Sequence, residues 1–187
     1  MRESQSRPVC AGVHSAYPPY ANEKDAMDIG EGKPCPLCEA PLASRTLPEV
    51  AGDEAPMRLT LRAFPVFACA APHRYFLGQQ FPVWLLNAML ERELAKIPAG
   101  VEKGLLFKKY ACGGCGAALP STGAEPHTFS SSLAWNDTPG FVVDVTMPFY
   151  SCAGCGREQA RSVAELAKLL PAALVHAFKA AGLKAPG

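Results

Sequence analysis

Eight residues, spaced as four pairs, constrain this chain more than anything else in it. Cys35/Cys38, Cys112/Cys115 and Cys152/Cys155 are Cys-x-x-Cys pairs, and Cys69/His73 is a Cys-x-x-x-His pair. Two donors on one tight turn, met by two more some thirty residues later, satisfy a tetrahedral metal ion. Taken in order, the pairs define two four-donor sets. Cys35, Cys38, Cys69 and His73 make a Cys₃His set, and Cys112, Cys115, Cys152 and Cys155 make a Cys₄ set. The expected cofactor is Zn²⁺, two per chain. A closed set of four protein donors leaves no position for substrate, so both sites are expected to be structural.

Eight cysteines also permit four disulfides. The first twenty residues, MRESQSRPVCAGVHSAYPPY, contain no apolar core of a secretory signal. The longest apolar run, residues 81–90, is broken by Asn87 and is half the length of a membrane span. The expected compartment is therefore the cytoplasm, where paired thiols serve as metal ligands rather than disulfides. Of the 187 residues, 49% are apolar and 19% charged, which is ordinary for a folded chain. The formal net charge of +1 carries no broad basic footprint for nucleic acid.

The two halves align with each other. CEAPL at 38–42 matches CGAAL at 115–119, and LTLRAFPVFAC at 59–69 matches VVDVTMPFYSC at 142–152. FPVWL at 81–85 then matches LPAAL at 170–174. The order in each half is first ligand pair, extended segment, second ligand pair, helix, as in an internal duplication. The predicted organisation is a flexible arm over residues 1–30, a first unit over 31–100 and a second over 101–187. The fold class is α+β, each unit a β-hairpin carrying a metal site and followed by a helix.

Residues 141–150 are rich in β-branched and aromatic types and read as a strand, with 128–135 as its hairpin partner. Residues 58–67 are the equivalent strand, paired with residues near 42–47 across a loop at 48–56. An apolar stripe from Val83 to Ile97 predicts a helix that opens at Pro82 and ends at Gly100. Ser162 and Glu165 form a capping box for a second helix ending at Gly182, with a kink or restart at Pro171. These stripes are expected to pack the halves together, since a ribbon of some 40 residues buries too little apolar area alone.

Cys10 and His14 repeat the Cys-x-x-x-His spacing on the arm. They are expected to be spectators, with completion of the first site or a share in a third site as the alternatives. His127 and His176 are expected to be ordinary residues.

On these ligand pairs the halves resemble zinc ribbons, in which two knuckles on β-hairpins hold one zinc. The resemblance covers residues 33–75 and 110–158 and implies a fold, not an activity. Cys112-Gly-Gly-Cys115-Gly116 and Cys152-Ala-Gly-Cys155-Gly156 also resemble the double-CxxCG motif proteins, some of which are immunity proteins of toxin–immunity pairs. The first half departs from that pattern at Glu39 and His73. Pro34-Cys35-Pro-Leu-Cys38 has the form of one half of a zinc deaminase site, but no His-x-Glu accompanies it.

No catalytic constellation accompanies the ligands, so no enzymatic activity is expected. The expected function is a structural-zinc adaptor or inhibitor with a protein partner, of the immunity type that the double-CxxCG resemblance implies. One alternative is a nucleic-acid-binding ribbon using Lys103, Lys108 and Lys109 beside Phe107 and Tyr110, with Arg157, Arg161 and Lys168 beyond the last knuckle. The other is a rubredoxin-like electron carrier with iron in the Cys₄ set.

Overall fold

The computed structural model describes residues 29–104 and 108–184. Residues 1–28, with Cys10 and His14, and Phe107 lie outside the described residues. The architecture is mixed α+β, mostly strand with two helices. Two long hairpins dominate it. Strands β1 (Ala43–Glu54) and β2 (Met57–Ala68) pair antiparallel along their whole length. Strands β6 (Glu125–Leu133) and β7 (Phe141–Ser151) do the same. The hairpins join through β2 and β7, which run antiparallel from Arg58–Thr146 to Arg62–Val142. The resulting order, β1-β2-β7-β6, places the two ligand-bearing strands at the centre.

Each central strand then turns back on itself. Short β3 (Arg74–Tyr75) pairs with the end of β2, and β8 (Glu158–Gln159) pairs with the end of β7. Strands β4 (Val101–Lys103) and β5 (Lys109–Ala111) form a separate ribbon leading into Cys112. The sheet's last strand, β9 (Leu183–Lys184), lies parallel to β3.

From Phe141 to Phe149, β7 alternates between buried and half-exposed residues, so Phe141, Val143, Val145 and Met147 face the core. That is the period-2 pattern of a strand with one face on the core. β1 is longer than its sequence suggests. The segment expected to be a loop at 48–56 is strand as far as Glu54, and only Ala55 and Pro56 turn the chain. Tertiary packing overrides the local turn signals of Pro48, Gly52 and Asp53. A side-chain carbon on Gly52 would lie 2.2 Å from the Ala173 carbonyl oxygen and 2.4 Å from the Ala177 nitrogen. Gly52 is therefore where a helix lies directly on the strand.

That helix is α2 (Val163–Ala180), capped by the Ser162 hydroxyl accepting from the Glu165 N–H and followed by Gly182 in the left-handed region. It runs through Pro171 as one element, neither broken nor restarted there. It belongs to the second half of the chain and covers β1 and β2 of the first. The converse holds for α1 (Phe81–Ala88), whose Phe81 and Trp84 pack on Phe141 and Trp135 of the second half. Phe64 of β2 touches Phe81, Phe141 and Phe178, so one ring joins both hairpins and both helices. One apolar core thus draws on both halves.

α1 does not continue regularly to Gly100. It passes into a π-helical turn (Met89–Glu93) and a 3₁₀ turn (Leu94–Lys96), and Ile97 is extended. Pro98 follows Ile97 and disfavours a helical conformation there, which ends the element. Gly100 has another role. A side-chain carbon there would meet Leu119 and the carbonyl oxygens of Ala111 and Arg161 within 3 Å.

The wide turn sets Glu93 inside the protein, where one carboxylate oxygen accepts from Ser131 of β6 at 2.8 Å and from Lys96 at 2.7 Å. Burial pushes this carboxyl upward, but Lys96 and Ser131 outweigh it and hold the group below its ordinary value. A lowered carboxyl contributes stability above the unfolded value that is lost as pH falls through the folded one. Glu93→Gln should therefore cost about 1–2 kcal/mol at pH 7. The gap from wild type should close as both proteins are acidified below about pH 4.5. Denaturant unfolding followed from pH 7 down to about pH 2 measures this; a pH-independent gap over that range would contradict it. Gly52→Ala should lower unfolding stability by about 2 kcal/mol or more through overpacking against α2. A thermal midpoint matching wild type would refute that contact.

Candidate metal centres

Each of the three Cys-x-x-Cys turns folds in the same way. The N–H of the residue after the second cysteine donates to the first cysteine's carbonyl: Glu39 to Cys35, Gly116 to Cys112 and Gly156 to Cys152. The first cysteine's N–H donates onward to Ala40, Ala117 or Arg157. This closure requires the residue after the second cysteine to take a positive φ, 59° at Glu39, 76° at Gly116 and 72° at Gly156. Glycine adopts it without steric cost. Glu39 adopts it with a side chain, so the departure from CxxCG changes the residue and not the turn.

The turns bring the eight donors into two clusters, Cys35/Cys38/Cys69/His73 and Cys112/Cys115/Cys152/Cys155. In each cluster all four donor atoms lie within 4.8 Å of one another. In the first, Cys38 and Cys69 sulfurs are 3.6 Å apart, and His73 Nδ1 lies 3.5 Å from both Cys35 and Cys69. In the second, Cys112–Cys155 is 3.7 Å and Cys115–Cys152 is 3.5 Å. A disulfide would need a separation of about 2 Å. Zinc–sulfur bonds of about 2.3 Å at tetrahedral angles give sulfur–sulfur edges of roughly 3.8 Å, so the clusters have the size such an ion requires. The two groups could hold two metal ions, and the donor set suits a soft or borderline dication.

Position within the clusters is uneven. Cys35, Cys112 and Cys152 are buried, whereas Cys38, Cys115 and Cys155 are exposed. Burial pushes the Cys35 thiol upward, but the Tyr75 hydroxyl and the N–H groups of Leu37 and Cys38 bring it down to about 6. At Cys112, the N–H of Cys115, the Gln159 amide and the N–H of Gly114 act together and lower it to about 5. The Arg157 N–H favours the Cys155 thiolate, but the neighbouring thiols of Cys115 and Cys112 push that group up to about 11. Cys38 is likewise raised: the Ala40 N–H opposes the shift, while burial and the thiols of Cys35 and Cys69 dominate. Four thiols converging on one point cannot all ionise without a cation between them, and a dication removes that conflict.

The other candidates fall elsewhere. His127 stacks on Phe149, and His176 bonds the backbone of Asp53. Neither belongs to a donor cluster. Two members of the basic group beside Tyr110 are held by protein contacts. Lys108 pairs with Glu102 at 3.0 Å, and Arg161 lies over the rings of Tyr150 and Tyr110 and donates to the Pro120 carbonyl. Two residues that sequence reasoning missed, Tyr75 and Gln159, contact the buried sulfurs of Cys35 and Cys112. No ligand motif marks them. No described helix is long and apolar enough to cross a membrane.

No protein-family model matches this chain, and no curated protein or solved structure is significantly similar to it.

If the clusters are separate centres, Cys112→Ser should reduce bound metal from two ions per chain to about one, and Cys35→Ser should do so through the other site. Native mass spectrometry of metal-loaded protein reads the count directly. Retention of two ions by both variants would rule out these ligand assignments.

Proposed function

We propose that this chain is a structural-zinc protein built from two zinc-ribbon-like repeats, residues 31–100 and 101–187, and that it acts as a protein-binding adaptor or inhibitor without catalysis of its own. The observation that carries the zinc reading is the pair of closed four-donor clusters with tetrahedral edge lengths. Each uses every donor its turns supply, which suits a fold-stabilising ion rather than one awaiting substrate.

Duplication is supported by register. The alignment of 59–69 with 142–152 equates Thr60 with Val143 and Leu61 with Asp144. In the β2–β7 ladder Thr60 faces Asp144 and Leu61 faces Val143, so each residue faces its neighbour's counterpart. That is the relation expected beside a local twofold axis. The bridges Pro34–Pro41 and Ala111–Ala118 stand at the same offsets from their cysteine pairs. Phe81 and Leu170, Leu85 and Leu174, and Ala88 and Ala177 are matched in sequence and buried alike.

The partner reading rests on the outer surface of the two helices. An open cleft of about 360 Å³ between α1 and α2 is lined by apolar side chains, among them Phe76, Leu86, Leu174 and Phe178. Val83 and Val175, 54% and 49% exposed, stand at it with their apolar surface uncovered. Such a patch on a folded chain is a place for another protein to sit. The inhibitor form of this reading agrees with the CxxCG resemblance of the second half.

Val83→Asp/Val175→Asp should keep both metals and the unfolding midpoint of wild type. It should lose at least about tenfold in affinity for the stoichiometric partner that tagged, zinc-loaded wild type retains from its native lysate, measured by calorimetry. A partner bound equally by the variant would move the interface elsewhere, and the absence of a stoichiometric partner would end the adaptor reading. A red protein after anaerobic purification would instead favour iron in the Cys₄ cluster.

A further inference from the structure

Each cluster contains one sealed sulfur that receives a hydrogen bond from a buried side chain outside the ligand set. The Tyr75 hydroxyl lies 3.4 Å from Cys35 Sγ, and the Gln159 amide nitrogen lies 3.0 Å from Cys112 Sγ. All four residues are at most 2% exposed. The two donors occupy corresponding places. Tyr75 on β3 faces Phe67 of β2, and Gln159 on β8 faces Tyr150 of β7. Phe67 and Tyr150 are themselves aligned in the match of 59–69 with 142–152. The acceptors correspond too, each being the first cysteine of its half. Different residue types therefore place a donor on the same sulfur from the same strand position.

Resting on the zinc reading above, we propose that Tyr75 and Gln159 are positioning residues of the two centres, outer-sphere donors that fix one thiolate of each and set how strongly it donates to the metal. The orientation of Gln159 follows from its two bonds. Its Oε1 accepts from the Gly113 N–H at 2.9 Å, which leaves its NH₂ group on the Cys112 sulfur. The flipped amide would set N–H against N–H and oxygen against sulfur. The carboxamide is thus a clamp between the backbone of the knuckle and its first sulfur. At the other centre the Tyr75 hydroxyl carries the only proton available to the pair, since a metal-bound thiolate has none, so the O–H donates to Cys35 Sγ.

Charge explains why such donors are placed here. Four thiolates exceed a dication by two negative charges, whereas three thiolates and a neutral imidazole exceed it by one. Buried excess charge is stabilised by N–H and O–H groups aimed at it. In both clusters the buried sulfur also draws on backbone N–H groups, those of Leu37 and Cys38 at Cys35 and those of Gly114 and Cys115 at Cys112. Outer-sphere groups of this kind orient ligands and tune the metal, and their loss weakens metal binding by about 10–100-fold.

Cadmium-113 NMR of the doubly loaded protein tests this with one resonance for each centre, alongside chelator competition. Gln159→Met should shift the Cys₄ resonance alone and loosen that site by about 10–100-fold. Tyr75→Phe, which keeps the ring, should shift the Cys₃His resonance alone. Gln159→Glu keeps an acceptor for Gly113 but turns oxygen toward sulfur, so it should behave like Gln159→Met rather than like wild type. Two wild-type resonances left unmoved by Tyr75→Phe and Gln159→Glu, with unchanged competition, overturn the proposal while sparing the zinc reading. A wild-type chain that takes up no cadmium removes both. Should Gln159→Met fail to fold, Tyr75→Phe decides the question at the other centre.

Discussion

β2 and β7 lie side by side in antiparallel register, and the rest of the structure is arranged by that contact. Each strand begins at its hairpin turn, crosses the shared core and ends at the second ligand pair of its own half. Antiparallel pairing sends those ends in opposite directions, so the two donor clusters sit at opposite ends of the central ladder. The same contact leaves β1 and β6 outside, and it brings each helix within reach of the other hairpin. α2 lies on β1 so closely that only Gly52 fits beneath it, while α1 presses Trp84 against Trp135. Neither hairpin completes its apolar face with its own helix. The core is therefore common property of the two halves, consistent with the small area one ribbon could bury alone.

At the ends of the ladder the demands change from apolar burial to charge. A four-donor cluster is a poor structure without a cation, because thiols at contact distance compete for protons and cannot all ionise. Cys155 and Cys112 display that competition, one thiol raised and the other lowered. A metal ion would convert these mutually hostile groups into bonds between distant segments, joining residues near 35 to residues near 70, and residues near 112 to residues near 155. Binding energy of this kind is folding energy where the site does not exist in the unfolded chain. The first cysteine of each half is sealed under Tyr75 or Gln159, whereas Cys38, Cys115 and Cys155 face solvent. Each cluster thus has a fixed inner edge and an accessible outer one.

Much of this was legible in the sequence where local chemistry and tertiary packing agree. The ligand pairs specified which eight donors lie together, His73 among them. β-Branched and aromatic residues marked β7, and the Ser162–Glu165 box marked the start of α2. Legibility failed where packing overrode local signals. Pro48, Gly52 and Asp53 look like a loop, yet α2 holds them in β1, and Gly52 is present because the helix is close rather than because the chain turns. Gly100 looked like a helix stop for a similar reason, while Pro98 had already ended the element by constraining Ile97. The widened turn before it depends on Glu93 meeting Ser131, a residue 38 positions away, which no local pattern records. Tyr75 and Gln159 were invisible because the repeat preserves their position and role but not their type.

The division of labour between centre and surface follows from these packing facts. The donors face one another, and the backbone carbonyl and N–H of Cys35, Cys112 and Cys152 are used in closing the turns. Beside the second centre Lys108 is held by Glu102, and Arg161 by two tyrosine rings and a carbonyl. Phosphate binding at those two side chains would have to displace existing contacts before gaining its own. The helix pair has the opposite character. Once α1 and α2 have each covered the other half's hairpin, their outer faces remain, and on those faces Val83 and Val175 are left in water with an apolar cleft between them. The exchange of helices that completes the core is thus also what sets two apolar helix faces side by side on the surface, and a partner seated there could bind without disturbing either metal cluster.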